Sequence, residues 1–587
     1  MADMFYTSER NVQIVIALLK ANNIKRVIAS PGATNITFVG SIQNDPFFTV
    51  YSCVDERSAA YMACGMAAET GEPVVISCTG ATSSRNWLPG LTEAFYRKLP
   101  ILAISSSNES CMIGQLVAQV TNRSTPPVDA VIRSLEVGLI KSKSDEWDAL
   151  LKANSAISLL TRNGGGPVHI NLITGHSRDF SVREIEPVRL IKRITIDDQN
   201  WPEIPAGRVA ISIGAHVKFT KGQENLIDSF CSTYDAVVFC DHSSGYNGKY
   251  KINLSLSIMQ KNIQSHLNQV HLLIHIGEVS GDYYNLYKIQ PSQVWRVNPD
   301  GEIRDLYRAL TYVFDMPEMS FFKAYATKST EIKTDYIDAC NVEYEECCKR
   351  IPELPFSNLW IAQQMAPKLP KGCVLHLGIL NSLRSWNFFK VDDSIDCCCN
   401  AGGFGIDGAM STLIGASLCN TNRLYFGVLG DLAFFYDMNS IGNRHIGSNL
   451  RILLVNNGRG QEFRNYSHNG NLFGDDVDRY IAAAGHFGNK SKSLVKGFVE
   501  SLGYKYLSAE CKDEFLKNVG EFVNPRVLAQ PIIFEVFTDT KDESDALEMI
   551  MNCVADSRHY LKNKIKDSAK GILGEKGVSF LKKTIGK

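Results

Sequence analysis

The chain lacks a charge bias: 61 Lys and Arg stand against 62 Asp and Glu, a net −1 over 587 residues. No general pull towards nucleic acid or an anionic membrane is expected from such a balance. Its 16 cysteines contain no Cys-x-x-Cys pair, and Cys347-Cys348 and Cys397-Cys398-Cys399 are adjacent, a spacing poorly suited to zinc. Reduced thiols in a cytoplasmic protein are the simpler reading, because a chain of this size does not need disulfides. No apolar run approaches the 18 or more residues of a membrane span, and the N-terminal stretch MADMFYTSERNVQIVIALLK reads as an amphipathic helix rather than a signal peptide. Low-complexity tracts and short repeats are missing as well. What remains is a composition of 44% hydrophobic and 21% charged residues, that of an ordinary globular protein.

Within that composition, short β-rich apolar runs alternate with helical segments, the pattern of doubly wound parallel sheets. From residue 1 to 180 the runs are RVIAS, FTVYSC, PVVISC, PILAIS and GPVHINL. A polar stretch from 181 to 205 reads as a linker into a central block that ends near 350, with RVAISIG, AVVFCD, HLLIHIG and QVWRVNPDG. A third block, 351–555, carries GCVLHLG, SIDCCCN, LYFGVLGD, RILLVNN and PIIFEVF. The fold class is therefore α/β with three parallel-sheet domains, the first and third looking like two versions of one architecture. Residues 556–587 form a basic tail, with nine Lys and Arg against three Asp and Glu. Its apolar residues fall partly at helical spacing. It reads as a solvated or subunit-packed extension, with contact to an anionic membrane as the alternative.

The third block poses the chemical question. One apolar run stops on Gly430-Asp431 and the next on Asn456-Asn457, with FYDMNSIGNRHIG between them as the expected crossover helix. Right-handed crossovers make such strands parallel, so both polar ends should emerge on the carboxyl edge, where open α/β sheets bind ligands. Oxygen donors from one Asp and one Asn suit a hard cation such as Mg²⁺, although the same residues also serve as caps and turns. Gly403-Phe-Gly405-Ile-Asp-Gly408 fits a dinucleotide fingerprint, which alone is weak. In the first block Glu56 opens a helix rich in Ala and Gly, where a carboxylate ordinarily complements the helix dipole. SPGAT (30–34) and CTGATSS (78–84) are small-residue loops on the same edge and allow backbone to approach a ligand.

Taken together, SPGAT, VDERSAAYMACGMA, CTGATSSRNWLPGLTEAFYRKLPILAIS, QLVAQ (115–119), GPVHINL, GIDGAMST (405–412), GDLAFFYDMN and FTDTKDESDAL (537–547) resemble the thiamine-diphosphate-dependent 2-oxo acid decarboxylases and carboligases. The closest likeness is to the menaquinone-biosynthesis synthases. The resemblance implies thiamine diphosphate and Mg²⁺ as cofactors, a pyrimidine-binding first domain and a diphosphate-binding third domain. Asp431, Asn457 and the backbone carbonyl of Arg459 would then hold the metal. Gly32, Gly80, Asn381, Ser382, Gly405, Gly430, Leu432 and Ala433 would border the cofactor, and Ile406 would wedge it into its bent form. Glu56 would act on the aminopyrimidine, in a homodimer or dimer of dimers whose sites lie between subunits.

Three arginines of the synthases are replaced here, by Thr34, Ala401 and Trp386. Guanidinium–carboxylate pairs are not reproduced by such residues. The expectation drawn from this is a carboligase that decarboxylates a small 2-oxo acid and transfers it to an acceptor other than isochorismate. The alternatives are a simple decarboxylase and a true menaquinone-pathway synthase. Thr34, Asn35, Arg85, Gln119, Arg384 and Phe404 are the candidate substrate contacts.

Overall fold

The computed structural model describes residues 5–261, 265, 267–282, 288–326, 332–484 and 491–554. The basic tail, 556–587, lies outside the described residues. The chain divides into two compact units, one of Met1–Trp201 with Asp300–Asp315, the other of Pro202–Pro299 and everything from Met316 on.

The first unit is built on six parallel strands: β1 (Arg26–Ala29), β2 (Thr49–Ser52), β3 (Val74–Thr79), β4 (Ile101–Ser107), β5 (Ser134–Val137) and β6 (Val168–Ile173). Their order is β2-β1-β3-β4-β6-β5. The middle strands β3, β4 and β6 are buried almost throughout, whereas β2 at the edge is largely exposed. That contrast is why the inner strands read as unbroken apolar runs. The expected N-terminal helix forms at Arg10–Ala21; its Asn11 is buried and donates to the Ile173 carbonyl at 2.7 Å.

Within the stretch expected to be a linker, Lys192–Thr195 is a strand (β7), parallel to Leu310–Asp315 (β13 in chain order). Ion pairs hold the 300–315 segment in this unit: Arg162 reaches Glu302 at 2.9 Å and Asp315 at 3.2 Å, and Arg189 reaches Asp305 at 2.7 Å.

The second unit contains β8 (Val209–Ile213), β9 (Val237–Cys240), β10 (Lys251–Asn253), β11 (Gln269–Ile276) and β12 (Gln290–Val297), all parallel and ordered β10-β9-β8-β11-β12. It also holds a six-stranded sheet of β14 (Val374–Leu377), β15 (Asp396–Cys399), β16 (Tyr425–Gly430), β17 (Leu450–Asn456), β18 (Lys505–Ala509) and β19 (Ile532–Phe537). The order there is β15-β14-β16-β17-β19-β18. Renumbered from its own first strand, this is the order of the sheet in the first unit. The two sheets share one topology.

In both sheets the strand order reverses at the same place, between β1 and β3 and between β14 and β16. Ligands of open α/β sheets bind outside such a reversal, at the carboxyl ends. SPGAT and CTGATSS leave the sheet at the first reversal, and Gly378–Asn381 and Gly430-Asp431 leave it at the second. Among the described residues no helix is long and apolar enough to cross a membrane.

Candidate active site

Glu56 is placed by its neighbour. Asp55 is the N-cap of the helix Glu56–Thr70, accepting from the backbone N–H of Arg57 at 2.9 Å and of Ser58 at 3.4 Å. Such a cap contributes about 0.5–2 kcal/mol. It leaves the Glu56 side chain free of capping duty, and Asn86 Nδ2 donates to Glu56 Oε2 at 3.1 Å. On the buried side of this helix, Ala59, Ala60, Ala63 and Ala67 pack into the core.

The loops after β1 and β3 are knitted together. Thr34 is buried, its hydroxyl donating to the Ser106 carbonyl at 2.7 Å and meeting the Thr79 hydroxyl. Asn35 Oδ1 accepts from the Ser77 hydroxyl at 2.6 Å and the Ser106 hydroxyl at 3.3 Å. Ala81 follows Gly80 at φ 62°, ψ −131°, a backbone region that costs a residue with a Cβ about 1–3 kcal/mol. Leu380 holds a similar conformation, φ 67°, ψ −116°, just before the helix Asn381–Asn387 at the other reversal. Strain of this kind is retained where the surroundings fix it, and here it marks both reversals.

In the second unit a pocket of about 130 Å³ is lined by Asn381, Ser382, Ile406, Gly430, Asp431, Leu432, Ala433, Asn457 and Arg459, together with Gln461 and Glu543. The motif residues from four separate stretches thus converge. Asp431 is buried and accepts from the N–H of Leu432 at 3.0 Å and of Gly458 at 2.9 Å. The second bond needs a left-handed residue, and Gly458 supplies it at φ 85°. No basic side chain forms an ion pair with Asp431 among the described residues, and burial pushes its carboxyl up to about 7. A buried carboxylate without a basic partner is a natural seat for a cation. Asn457 is buried beside it, with Oδ1 accepting from the Arg459 N–H at 3.2 Å. Among the described residues no cluster of three or more His, Cys, Asp or Glu forms a metal cage. The donor set offered, one carboxylate, one amide oxygen and backbone carbonyls, suits Mg²⁺, which fills its remaining positions with phosphate and water.

The expected crossover helix lies earlier than its sequence suggested. Helix runs from Asp431 to Tyr436, followed by a 3₁₀ segment Met438–Gly442. Gly430 is its extended N-cap, so the strand converts to helix at the motif itself. As a result the Leu432 N–H, at the first turn of this helix, donates to Asp431 Oδ1.

The candidate substrate contacts fall in different environments. Arg384 is buried and makes a two-pronged pair with Glu462, Nη1 to Oε2 at 2.8 Å and Nη2 to Oε1 at 2.9 Å. Its charge is neutralised inside the protein. Breaking the pair leaves a buried guanidinium, so Glu462→Ala is expected to lose about 3–5 kcal/mol in urea unfolding. Gln119 is exposed in a loop at φ 64°. Phe404, at φ 55°, packs against the core, and neither it nor Gly405 lines the 130 Å³ pocket. Arg85 is exposed on the short helix Thr82–Asn86.

The three replaced arginines also look different in the fold. Trp386 is 0% exposed, Ala401 1% and Thr34 9%. All three side chains are packed inside the fold, and their identities say nothing of cations supplied from other positions.

Sequence reasoning missed Arg123, Asn86 and Glu543. Glu543 is buried, accepts from the Thr538 hydroxyl at 2.7 Å and the Asn358 N–H at 3.0 Å, and burial raises it to about 7. It lies within FTDTKDESDAL, but nothing in the local pattern separates it from the surface acids around it.

Comparison with known proteins places these features. Residues 10–125 match the family model described as thiamine pyrophosphate enzyme, N-terminal TPP binding domain. Over 582 residues the chain is 30% identical to a Bacteroides fragilis protein, covering 95% of this chain and 100% of that one. A Bacteroides thetaiotaomicron protein is 30% identical over 586 residues, with the same coverage. A Flavobacterium psychrophilum protein is 28% identical over 567 residues, covering 92% and 98%. Each is named 2-succinyl-5-enolpyruvyl-6-hydroxy-3-cyclohexene-1-carboxylate synthase. These full-length likenesses overturn the expectation of an acceptor other than isochorismate. The physical reason is that a cation missing at Thr34, Ala401 or Trp386 can be supplied from elsewhere in the fold, and Arg123 and Arg85 line a separate cavity.

Proposed function

We propose the reaction from one premise: this chain belongs to the thiamine-diphosphate-dependent family of 2-succinyl-5-enolpyruvyl-6-hydroxy-3-cyclohexene-1-carboxylate synthases. The family's product name states the chemistry. A succinyl group is 2-oxoglutarate less its C1 carboxylate, and the enolpyruvyl-hydroxy-cyclohexene carboxylate is the isochorismate skeleton. The proposed reaction therefore breaks the C1–C2 bond of 2-oxoglutarate, releases CO₂, and joins C2 to the isochorismate ring, whose diene gives up one double bond and takes up a proton to become the cyclohexene. Full-length identity of 30% to two relatives of that name is the observation that carries this reading.

Thiamine diphosphate, when bound, supplies the nucleophilic carbon and the electron sink that decarboxylation of a 2-oxo acid requires. The roles proposed for the protein's own groups rest on the family resemblance and are supported by where each group sits. Asp431, the side chain of Asn457 and the Arg459 carbonyl would hold Mg²⁺. Asn381, Ser382, Gly430 and the N–H groups of Leu432 and Ala433 would border the diphosphate. Ile406, half-buried against the core and facing the pocket, gives an apolar wall. Gly32 and Gly80 would let the first unit's backbone approach the pyrimidine, and the Glu56 carboxylate would hold and return a proton at a ring nitrogen.

We also place the working site between subunits of a homodimer. The exposed face of the Glu56 helix supports this: Tyr61 is 48% and Met62 40% exposed, with Val54 nearby at 78%. Apolar groups clustered on a surface mark an interaction site. Light scattering should give at least twice the 65.1 kDa chain mass.

The reaction is tested by supplying 2-oxoglutarate, isochorismate, thiamine diphosphate and Mg²⁺. Mass spectrometry should show the succinylated cyclohexene product and CO₂ in equal amounts. Turnover of pyruvate in preference to 2-oxoglutarate would refute the reading.

A further inference from the structure

We propose that Arg123, with Arg85 beside it, seats a substrate carboxylate next to the Glu56 loop. This rests on the proposed reaction, in which donor and acceptor both carry carboxylates.

Arg123 is 8% exposed, and only Nη2 is hydrogen-bonded, to Asn171 Oδ1 at 2.9 Å. Its Nε and Nη1 are buried without a partner among the described residues. A buried charge in that state is costly unless a counter-charge or hydrogen-bond acceptor arrives. No carboxylate of the described residues forms an ion pair with Arg123 or Arg85. The nearby acid, Glu136, sits behind Asn171, accepting from its Nδ2 at 3.2 Å. Asn171 therefore bridges the two charges rather than letting them meet.

The surroundings reinforce the arrangement. Arg123 and Arg85 line a cavity of about 60 Å³ with Ser84, Asn122, Trp87 and His169. A space of that size holds several waters or a carboxylate head group. His169 is buried and its pKa is depressed to about 3, chiefly by burial and then by the Arg123 charge. It is neutral, so the only formal charges on the lining are the two guanidiniums. Proximity of the like-charged Arg85, added to burial, makes the Arg123 charge less favourable still. Leu88, Leu91, Pro126, Pro127 and Val131 complete an apolar wall, which strengthens any charge interaction inside.

The sequence is shaped around this guanidinium. A Cβ built at residue 80 would stand 2.5 Å from Arg123 Nη1, so Gly80 makes room for it. Gly80 leads into the helix Thr82–Asn86, which carries both Arg85 and the Asn86 that bonds Glu56. The cavity and the Glu56 carboxylate thus share one loop. Arg123 itself is a binding group, and Asn171 positions it.

The test uses the holoenzyme as wild type, Arg123→Gln and Arg123→Lys. Titration calorimetry with 2-oxoglutarate, isochorismate and succinate gives Kd, and initial rates give KM for each substrate. Arg123→Gln is expected to weaken at least one substrate about 10- to 100-fold, because a charge-assisted hydrogen bond is lost. Lysine should recover part of that, while thiamine diphosphate affinity stays within about twofold. The substrate whose Kd rises identifies the owner of the carboxylate. Unchanged Kd for all three anions overturns the proposal, and so does a loss of cofactor affinity in Arg123→Gln that lysine does not restore, since that marks a structural brace. Should the wild type make no synthase product, the proposed reaction falls, while the succinate titration still decides Arg123.

Discussion

Glu56→Gln is expected to leave a folded, cofactor-binding protein that has lost turnover. The substitution keeps the side chain's length and an oxygen able to accept from Asn86, whose Nδ2 bonds Glu56 Oε2 in the native site. Asp55 still caps the helix, so no local unfolding is anticipated. What disappears is a carboxylate able to hold and return a proton at the aminopyrimidine. Positioned acid–base groups of this kind contribute about 10²–10⁴-fold in rate, and a loss in that range is expected here. Proton–deuterium exchange at the thiazolium C2, followed by NMR, reads the step directly and needs neither substrate. Exchange at the wild-type rate in the variant would assign Glu56 to the helix dipole instead.

Much of this site is legible in the sequence because it sits where strands end. Apolar runs such as VVISC and RILLV are long enough to announce a buried parallel strand, and the residue after each run then falls on the carboxyl edge. Asp431, Asn457, Gly32 and Gly80 all stand at or just beyond such strand ends. The strands that escaped are β5, β7, β10, β13 and β18. Their sequences SLEV, KRIT, KIN, LTYVFD and KYLSA are short or only partly buried, so polar residues interrupt the apolar signal.

Arg123 escaped for a different reason. It lies in the irregular segment around Asn122–Pro127, where no periodicity constrains a side chain, and only the close approach to Gly80 gives it meaning. The misreading of the substrate came from the same blind spot. Local motif comparison marked Thr34, Ala401 and Trp386 as lost cations, but it could not show that all three side chains are interior. Nor could it show that Arg384 is consumed by Glu462, a partner 78 residues away.

Asp431→Asn is expected to separate stability from cofactor binding, moving them in opposite directions. Asparagine keeps an oxygen to accept from Gly458 or Leu432 and fits the same volume, so the turn after β16 should survive. Its neutrality removes the cost of ionising a buried carboxyl. In the native protein that carboxyl is raised from 3.8 to about 7, with burial as the largest cause. Between those values the unfolded chain has released the proton and the folded chain retains it, so stability of the cofactor-free protein falls as pH rises through this window. The variant lacks that slope. Cofactor-free Asp431→Asn is therefore expected to match the wild type near pH 4 and to melt at a higher temperature near pH 8. With Mg²⁺ and thiamine diphosphate the gap at pH 8 narrows, because the ligands raise the wild type far more than the variant. Wild type gains RT ln(1 + [L]/Kd), about 2.7 kcal/mol at a hundred times Kd, whereas a variant without the metal-binding charge gains little. Melting curves at the two pH values, with and without both ligands, contain the whole test. A variant stabilised by the ligands as strongly as the wild type would remove Asp431 from the metal site, and equal melting of the two cofactor-free proteins at pH 8 would remove the buried charge from the explanation.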